Sequence, residues 1–567
     1  MPIRSPVSEG VSRPSRAGQP SSIPDLEALQ MKVEFELTKK RTVLIVAIVA
    51  LCAGAAWAVN NPSARAFASH TVRAIKVAMH GQDAYVKKTL DAQVVATAAP
   101  DAPPVIETSR LPIRQKYVAL GKGFPAAGGG LTRVNGQLVV MSRTGDFYKV
   151  ENGQLAKLDY GTFPNRLDEY LVHSNAPLTS DALRAHSVSY DETSQRLFVA
   201  FARYVNPNAN RYVVSSLPVD PVTLQKKGDW KTEFETEDVS SKYYSQAGGG
   251  RVLADHGKLY FSVGYADDTG SADGPHVPGA QNPKSAFGKI YEMDVATHQV
   301  KMLSLGHRNV QGIAVTADGQ VLATEHGPQG GDEINLIREG GNYGWPYRTY
   351  GTDYGSYKFD SGFQVPANLT TVEPIYAFVP SIAISPLIQL AGFHAEWDGN
   401  LLVGSLKAQS LFRVVFKEGR VLISEPIWIG HRIRDMLQVP GQGIVLLTDD
   451  SLLIYLTVDE ELLKKDVKNA GYNFEPKLQR CLVCHHFEQS TPSSLAPSLA
   501  HLLGRKIGGD TGFGRYSDAM RKATGTWDEA RLAQYIQDPQ TVVPGATMPN
   551  LGLSKSEAED IAKILVK

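Results

Sequence analysis

The stretch Asp318-Gly319-Gln320-Val321-Leu322-Ala323-Thr324 decides the architecture, because a turn-forming pair leads at once into a short run of strand-forming residues. The same unit recurs in both directions. Asn135-Gly136 precedes Gln137-Leu138-Val139-Val140-Met141, and Asp398-Gly399 precedes Asn400-Leu401-Leu402-Val403-Gly404. Related runs lie at Arg196-Leu197-Phe198-Val199-Ala200 and Lys258-Leu259-Tyr260-Phe261-Ser262. Between about Ile113 and Leu456 these short runs of alternating polarity are separated by Gly, Asp and Asn turns, with no helical pattern between them. Roughly 340 residues of hairpins exceed what a sandwich needs and suit radial repetition in a closed ring. The expected fold is therefore mainly β, a six-bladed β-propeller over 113–456. The 51 glycines and 33 prolines of this 567-residue chain suit such a turn-rich body.

A different signal follows the strands. Cys481-Leu482-Val483-Cys484-His485 is the arrangement that attaches c-type haem covalently: two thiols bond the haem vinyl groups and His485 becomes the proximal iron ligand. A thioredoxin-type pair would expect a βαβ unit around it and has no use for the histidine. The sixth ligand of an electron-transfer haem is a soft thioether, and two methionines compete for that place. Met520 sits in a segment that reads as helical; Met548 sits in the irregular Pro544-Gly545-Ala546-Thr547-Met548-Pro549 and is favoured. Cys52 is the third and last cysteine, so no intramolecular disulfide pair remains.

The tail from 457 to 567 resembles class I cytochrome c, an all-α domain. Ala496-Pro497-Ser498-Leu499 and Gly504-Arg505-Lys506 follow the haem motif in that family's order, and Met548 follows His485 by 63 residues. The resemblance places Tyr516 and Trp527 beside the haem propionates and implies one covalent haem c attached outside a bacterial cytoplasmic membrane. Gly471 and Phe474 lie further from the haem cysteines than the family's glycine and aromatic do.

Within the strand-rich region, Arg308-Asn309-Val310-Gln311-Gly312, Thr324-Glu325-His326-Gly327-Pro328, Gly331-Asp332-Glu333-Ile334-Asn335 and Asn342-Tyr343-Gly344-Trp345-Pro346 follow one another. Pro380-Ser381-Ile382-Ala383, Gly404-Ser405-Leu406-Lys407 and Arg432-Ile433-Arg434-Asp435 continue the series. This order resembles the glucose/sorbosone dehydrogenases, six-bladed propellers that bind pyrroloquinoline quinone (PQQ) with calcium. The resemblance implies that Lys407, Arg432 and Arg434 hold the carboxylates of PQQ, for which guanidinium forks are suited. It further implies that Arg308 and Asn309 flank the quinone and that the carbonyls of Gly327 and Pro328 ligate Ca2+, which would polarise the quinone. The family's general base, a histidine, stands a few residues before a Gly-Arg pair; in Gln246-Ala247-Gly248-Gly249-Gly250-Arg251 that position falls on Ala247. Three explanations stay open: a local slip of alignment, another base such as His186 or His326, or lost activity.

Ahead of the strands, 1–38 reads as a disordered cytoplasmic tail rich in Ser, Pro, Arg and Gly. Lys39-Lys40-Arg41 then precedes Thr42 to Val59, an uncharged stretch just long enough to span a bilayer. A single transmembrane anchor over 39–60 is expected, with Ala53-Gly54-Ala55-Ala56 leaving a cleavable signal as the alternative. The positive-inside rule then puts the N-terminus in the cytoplasm and the later domains in the periplasm, at the bacterial inner membrane. Residues 61–112 read as a helical stalk and linker.

With 58 basic and 58 acidic residues the chain has no nucleic-acid footprint. Two functions of different class fit. One is a membrane-anchored dehydrogenase that oxidises a sugar or other alcohol through PQQ and passes electrons to haem and a respiratory-chain acceptor. The other is a catalytically inactive propeller that docks an electron-transfer cytochrome.

Overall fold

The computed structural model describes residues 72–79, 81–91 and 105–566, apart from 122–123, 126, 152, 175–182, 241–247, 266–276, 465–475, 483, 488–489, 491–493 and 495. The expected tail and membrane anchor lie outside the described residues. Among the described residues no helix is long and apolar enough to cross a membrane. The chain divides into two compact units, Met1–Asp459 and Glu460–Lys567.

The first unit is a ring of six sheets, antiparallel except where Ser304 and Leu305 pair in parallel with Gly341 and Asn342 at the edge of the third. Their innermost strands are, in chain order, Gly130–Val134, Ala185–Asp191, Gly249–Asp255, Val310–Val315, Ile384–Gln389 and Ile433–Val439. Each of these strands packs on the next, and the sixth returns to the first. Six apolar clusters alternate with the six sheets, one between each neighbouring pair of blades. Both faces of a blade are therefore buried. The sequence reading of alternating polarity fails for the second strands of blades for this reason: Leu138–Met141 and Leu401–Ser405 are buried at every position.

Turn chemistry accounts for the hairpins. Asn135 and Gly136 have φ of 46° and 80°, the two positive values that a two-residue turn of the strand-matching hand requires. The ring closes through chain ends: Pro112–Ala119 pairs antiparallel with Leu452–Val458, from Ile113 opposite Val458 to Ala119 opposite Leu452. Ile106 opposite Ile113 and Glu107 opposite Pro112 add a further edge strand. Residues 106–112, expected as linker, thus belong to the sixth blade. The helices at 72–79 and Gln82–Asp91, expected as a stalk, settle against the second blade. There the Arg73 guanidinium donates to the Ser174 carbonyl at the end of helix Leu167–His173, and Val86 packs on the apolar cluster that contains Tyr170.

The second unit is α-helical. Its helices include Gln479–Leu482, Asp518–Lys522, Glu529–Gln537 and Lys555–Leu565. Ser554 and Glu557 form a reciprocal capping box at the start of the last one. Leu532, Ile536, Ile561 and Leu565 belong to one apolar core that also contains Cys481, Met520 and Trp527. Gly471 and Phe474 lie outside the described residues.

Ile113 is buried at the closing seam. Ile113→Ala is expected to destabilise the propeller by about 2–5 kcal/mol, measured by urea unfolding, while unfolding of the helical unit stays unchanged.

Candidate functional site

The inner strands carry a repeated irregularity. Their register shifts between Ala185 and Ser187, between Gly249 and Val252, between Val310 and Gly312, between Ile384 and Leu387, and between Ile433 and Asp435. A bulge leaves its extra residue unpaired and re-aims the side chain. Four of the five bulges deliver His186, Gly250 with Arg251, Gln311 and Arg434 to one cavity, which Gly128, Gly129 and Arg184 complete. Three guanidinium groups line it, and no carboxylate appears among its lining residues.

Carboxylates behind the cavity hold the arginines in place. Arg251 Nη1 lies 2.6 Å from Asp435 Oδ1, and Asp435 Oδ2 accepts the Leu131 backbone N–H at 2.8 Å. Arg434 donates through Nε and Nη2 to the two oxygens of Asp449, at 2.8 and 3.0 Å, and Arg432 Nε donates to the same carboxylate at 2.8 Å. Burial alone would raise the Asp449 pKa, but the two guanidinium groups hold it below the ordinary carboxylate range. Gly249 N–H donates to Asn309 Oδ1 at 2.8 Å, and Gln311 Nε2 donates to the same oxygen at 2.7 Å. Asn309 thereby ties the third blade to the fourth.

The residues expected from the sequence divide accordingly. Arg434, Arg432, Asn309 and His186 meet at or directly behind the cavity. Arg308 stacks over Trp345, 5.1 Å from the ring centre, and donates to the Gly327 carbonyl at 3.1 Å. Gly327 and Pro328 are buried, so one of the two carbonyls expected on calcium already receives a guanidinium N–H. His326, beside them, is held well below its ordinary pKa, first by burial and then by Arg308, Arg434 and Arg184, against the opposing pull of Asp332. Lys407 is exposed, anchored through its backbone N–H to the Ile382 carbonyl, and no ion pair holds its ammonium among the described residues. Ala247 lies outside the described residues. Arg184, Arg251 and Gln311 are cavity residues to which the sequence assigned no role. Arg251 and Gln311 stood inside quoted motifs; Arg184 carried no signal.

The helical unit holds a second, largely apolar cavity, lined among others by Cys481, Cys484, His485, Tyr516, Met520, Trp527, Tyr535 and Met548. Cys484 and His485 donate their backbone N–H groups to the Cys481 carbonyl at 3.2 and 2.9 Å, a turn that gathers both thiols and the imidazole. His485 Nδ1 lies 2.7 Å from the Pro497 carbonyl oxygen. Since that oxygen can only accept, Nδ1 carries the proton and Nε2 is left with its lone pair for a metal. Burial lowers the His485 pKa, outweighing the opposite pull of the Pro497 carbonyl, and keeps the ring neutral as ligation requires. The donor set fits haem c. Arg505, another lining residue, donates to the carbonyls of Ser498 and Ala500 at 2.6 and 3.1 Å, while its buried Nε has no partner among the described residues. A haem propionate would satisfy it, a role the sequence reading gave only to Tyr516 and Trp527. Both methionines line the cavity, but Met520 Sδ already accepts a contact from Tyr535 Oη at 3.6 Å and is the more buried. Met548→Ala is expected to abolish the red thioether-to-iron absorption band and lower the haem potential; Met520→Ala is expected to keep the band.

The sequence profile of the Glucose / Sorbosone dehydrogenase family matches residues 132–454, more than half of the chain. An aldose sugar dehydrogenase of Escherichia coli is 32% identical over 272 residues, 43% of this chain and 66% of that protein. The chain spans no more than 66% of the length of the first curated propeller relatives. Over the tail, cytochrome c2 iso-2 of Magnetospirillum molischianum is 42% identical across 77 residues, 14% of this chain and 77% of that protein. The crystal structure of the soluble E. coli aldose sugar dehydrogenase in its apo form superposes with a TM-score of 0.51 at 22% identity, covering 61% of this chain and 99% of the other, a likeness of fold. The chain belongs to the Glucose / Sorbosone dehydrogenase family and carries a cytochrome c domain after its propeller.

Proposed function

We propose that the protein is a quinohaemoprotein dehydrogenase that oxidises an aldose or related sugar alcohol at the axial cavity and delivers the electrons to its own c-type haem and onward to a respiratory-chain acceptor. The observation that carries this reading is a cavity walled by Arg184, Arg251 and Arg434 without a carboxylate, in one chain with a haem-binding fold. PQQ, when bound, supplies a two-electron acceptor, and Ca2+ on the carbonyl side would strengthen it as a Lewis acid. A planar anion with three carboxylates suits the guanidinium cluster. Arg434 and Arg432, locked by Asp449, would receive the carboxylates with little rearrangement. Asn309, fixed by Gly249 and Gln311, would orient the reacting edge, and Arg308 over Trp345 would close the calcium side. Lys407, exposed and outside the cavity lining, would supply a further cation.

The covalent link between the two units makes electron transfer intramolecular, with an effective concentration set by the linker. The basic cluster and the uncharged stretch Thr42 to Val59 support placement at the bacterial inner membrane, with the propeller and cytochrome outside it.

Stopped-flow absorbance of the haem, with and without PQQ and Ca2+, tests the reading against a panel of aldoses, polyols and simple alcohols. Sugar-dependent reduction that requires PQQ is the expected result. No reduction and no PQQ binding would leave the propeller a docking module. Arg434→Gln is expected to weaken PQQ binding by about 10- to 100-fold, through loss of one charge-assisted contact of about 1.5–3 kcal/mol. Fluorescence titration of the apoprotein measures this directly.

A further inference from the structure

His186 is the extra residue of the bulge in the second blade's inner strand, between Ala185 opposite Phe201 and Ser187 opposite Ala200. The equivalent bulge in the sixth blade presents Arg434 and that in the fourth presents Gln311, both on the same cavity. Among the residues lining this cavity, His186 is the only one whose side chain can accept a proton near neutral pH. The glycine run makes room for its ring. A Cβ at Gly250 would stand 2.8 Å from His186 Cγ, and one at Gly248 would stand 2.9 Å from Cε1. Gly248 and Gly250, without side chains of their own, therefore leave their space to an imidazole from the neighbouring blade.

We propose that His186 is the general base of this propeller, taking the proton of the substrate hydroxyl; the assignment rests on the dehydrogenase reading above. The substrate O–H bond breaks and its proton passes to the imidazole as the C=O bond forms. The hydride, with its electron pair, leaves the same carbon for the bound quinone, a two-electron reduction, and the imidazolium returns its proton to solvent. The surroundings keep the ring unprotonated. Burial and then Arg184 and Arg434 hold the His186 pKa well below 6.5, so the ring is neutral at pH 7. Arg251 lines the same cavity, and the Tyr212 ring lies 5.8 Å away within the same blade.

The test uses the full-length, haem-loaded protein and the variants His186→Gln and His186→Ala. Both are expected to bind PQQ within about threefold of wild type by fluorescence titration. Their sugar-driven haem reduction is expected to fall by about 10²- to 10⁴-fold. Added imidazole is expected to restore part of the rate in the alanine variant, a rescue that a merely structural role would not show. A loss of less than about tenfold in both variants would overturn the assignment, as would a fall in PQQ affinity that accounts for the lost rate. A wild-type protein inert toward every sugar would overturn the dehydrogenase reading and the assignment with it. An active wild type with equally active variants overturns the assignment alone.

Discussion

Everything in the propeller depends on one antiparallel pairing, that of Pro112–Ala119 with Leu452–Val458. Without it the sixth blade lacks an outer strand and the apolar clusters on its two sides, which contain Ile113, Leu446, Leu447 and Leu453, lose part of their cover. Closure also fixes the radius at which the inner strands sit. A ring of six sheets with both faces buried leaves no freedom for one blade to move alone, so the side chains delivered to the axis are held by the whole circumference.

The inner-strand bulges turn that rigidity into a site. A regular strand would point alternate residues into the neighbouring cores; the bulge takes one residue out of the ladder and aims it along the axis. His186, Gln311 and Arg434 reach one cavity from three different blades in this way. Carboxylates then fix the cations: Asp449 grips Arg432 and Arg434, and Asp435 grips Arg251 while tethering the first blade through Leu131. The cytochrome unit uses the same logic with a neutral partner, where the Pro497 carbonyl selects the tautomer of His485.

Much of this was legible in the sequence because the signals are local. Asn135-Gly136 announces its turn by residue type alone, and Cys481 to His485 announces haem by spacing. The cationic positions Arg308, Arg432 and Arg434 were readable from ordered motifs. What was not legible depends on contacts between distant segments. The role of Arg184 comes from the curvature of the ring, which no local pattern records. The assignment of Ile106 to Pro112 to a blade depends on a partner strand more than 300 residues away in the chain. His186 looked like an isolated histidine because its meaning lies in a register shift and in the absent side chains of Gly248 and Gly250, which belong to another blade.

Ring closure by chain ends has a consequence for biosynthesis. Arg114 meets Asp459 across 345 positions of sequence, so at about 5–20 residues per second the first strand leaves the ribosome roughly 17–70 s before its partner exists. For that interval it offers an open ladder edge, the state from which strands mispair with other chains. The seam that makes the finished ring rigid is also the last contact of the propeller available to the growing chain, and the part of the ring most dependent on a chaperone until then.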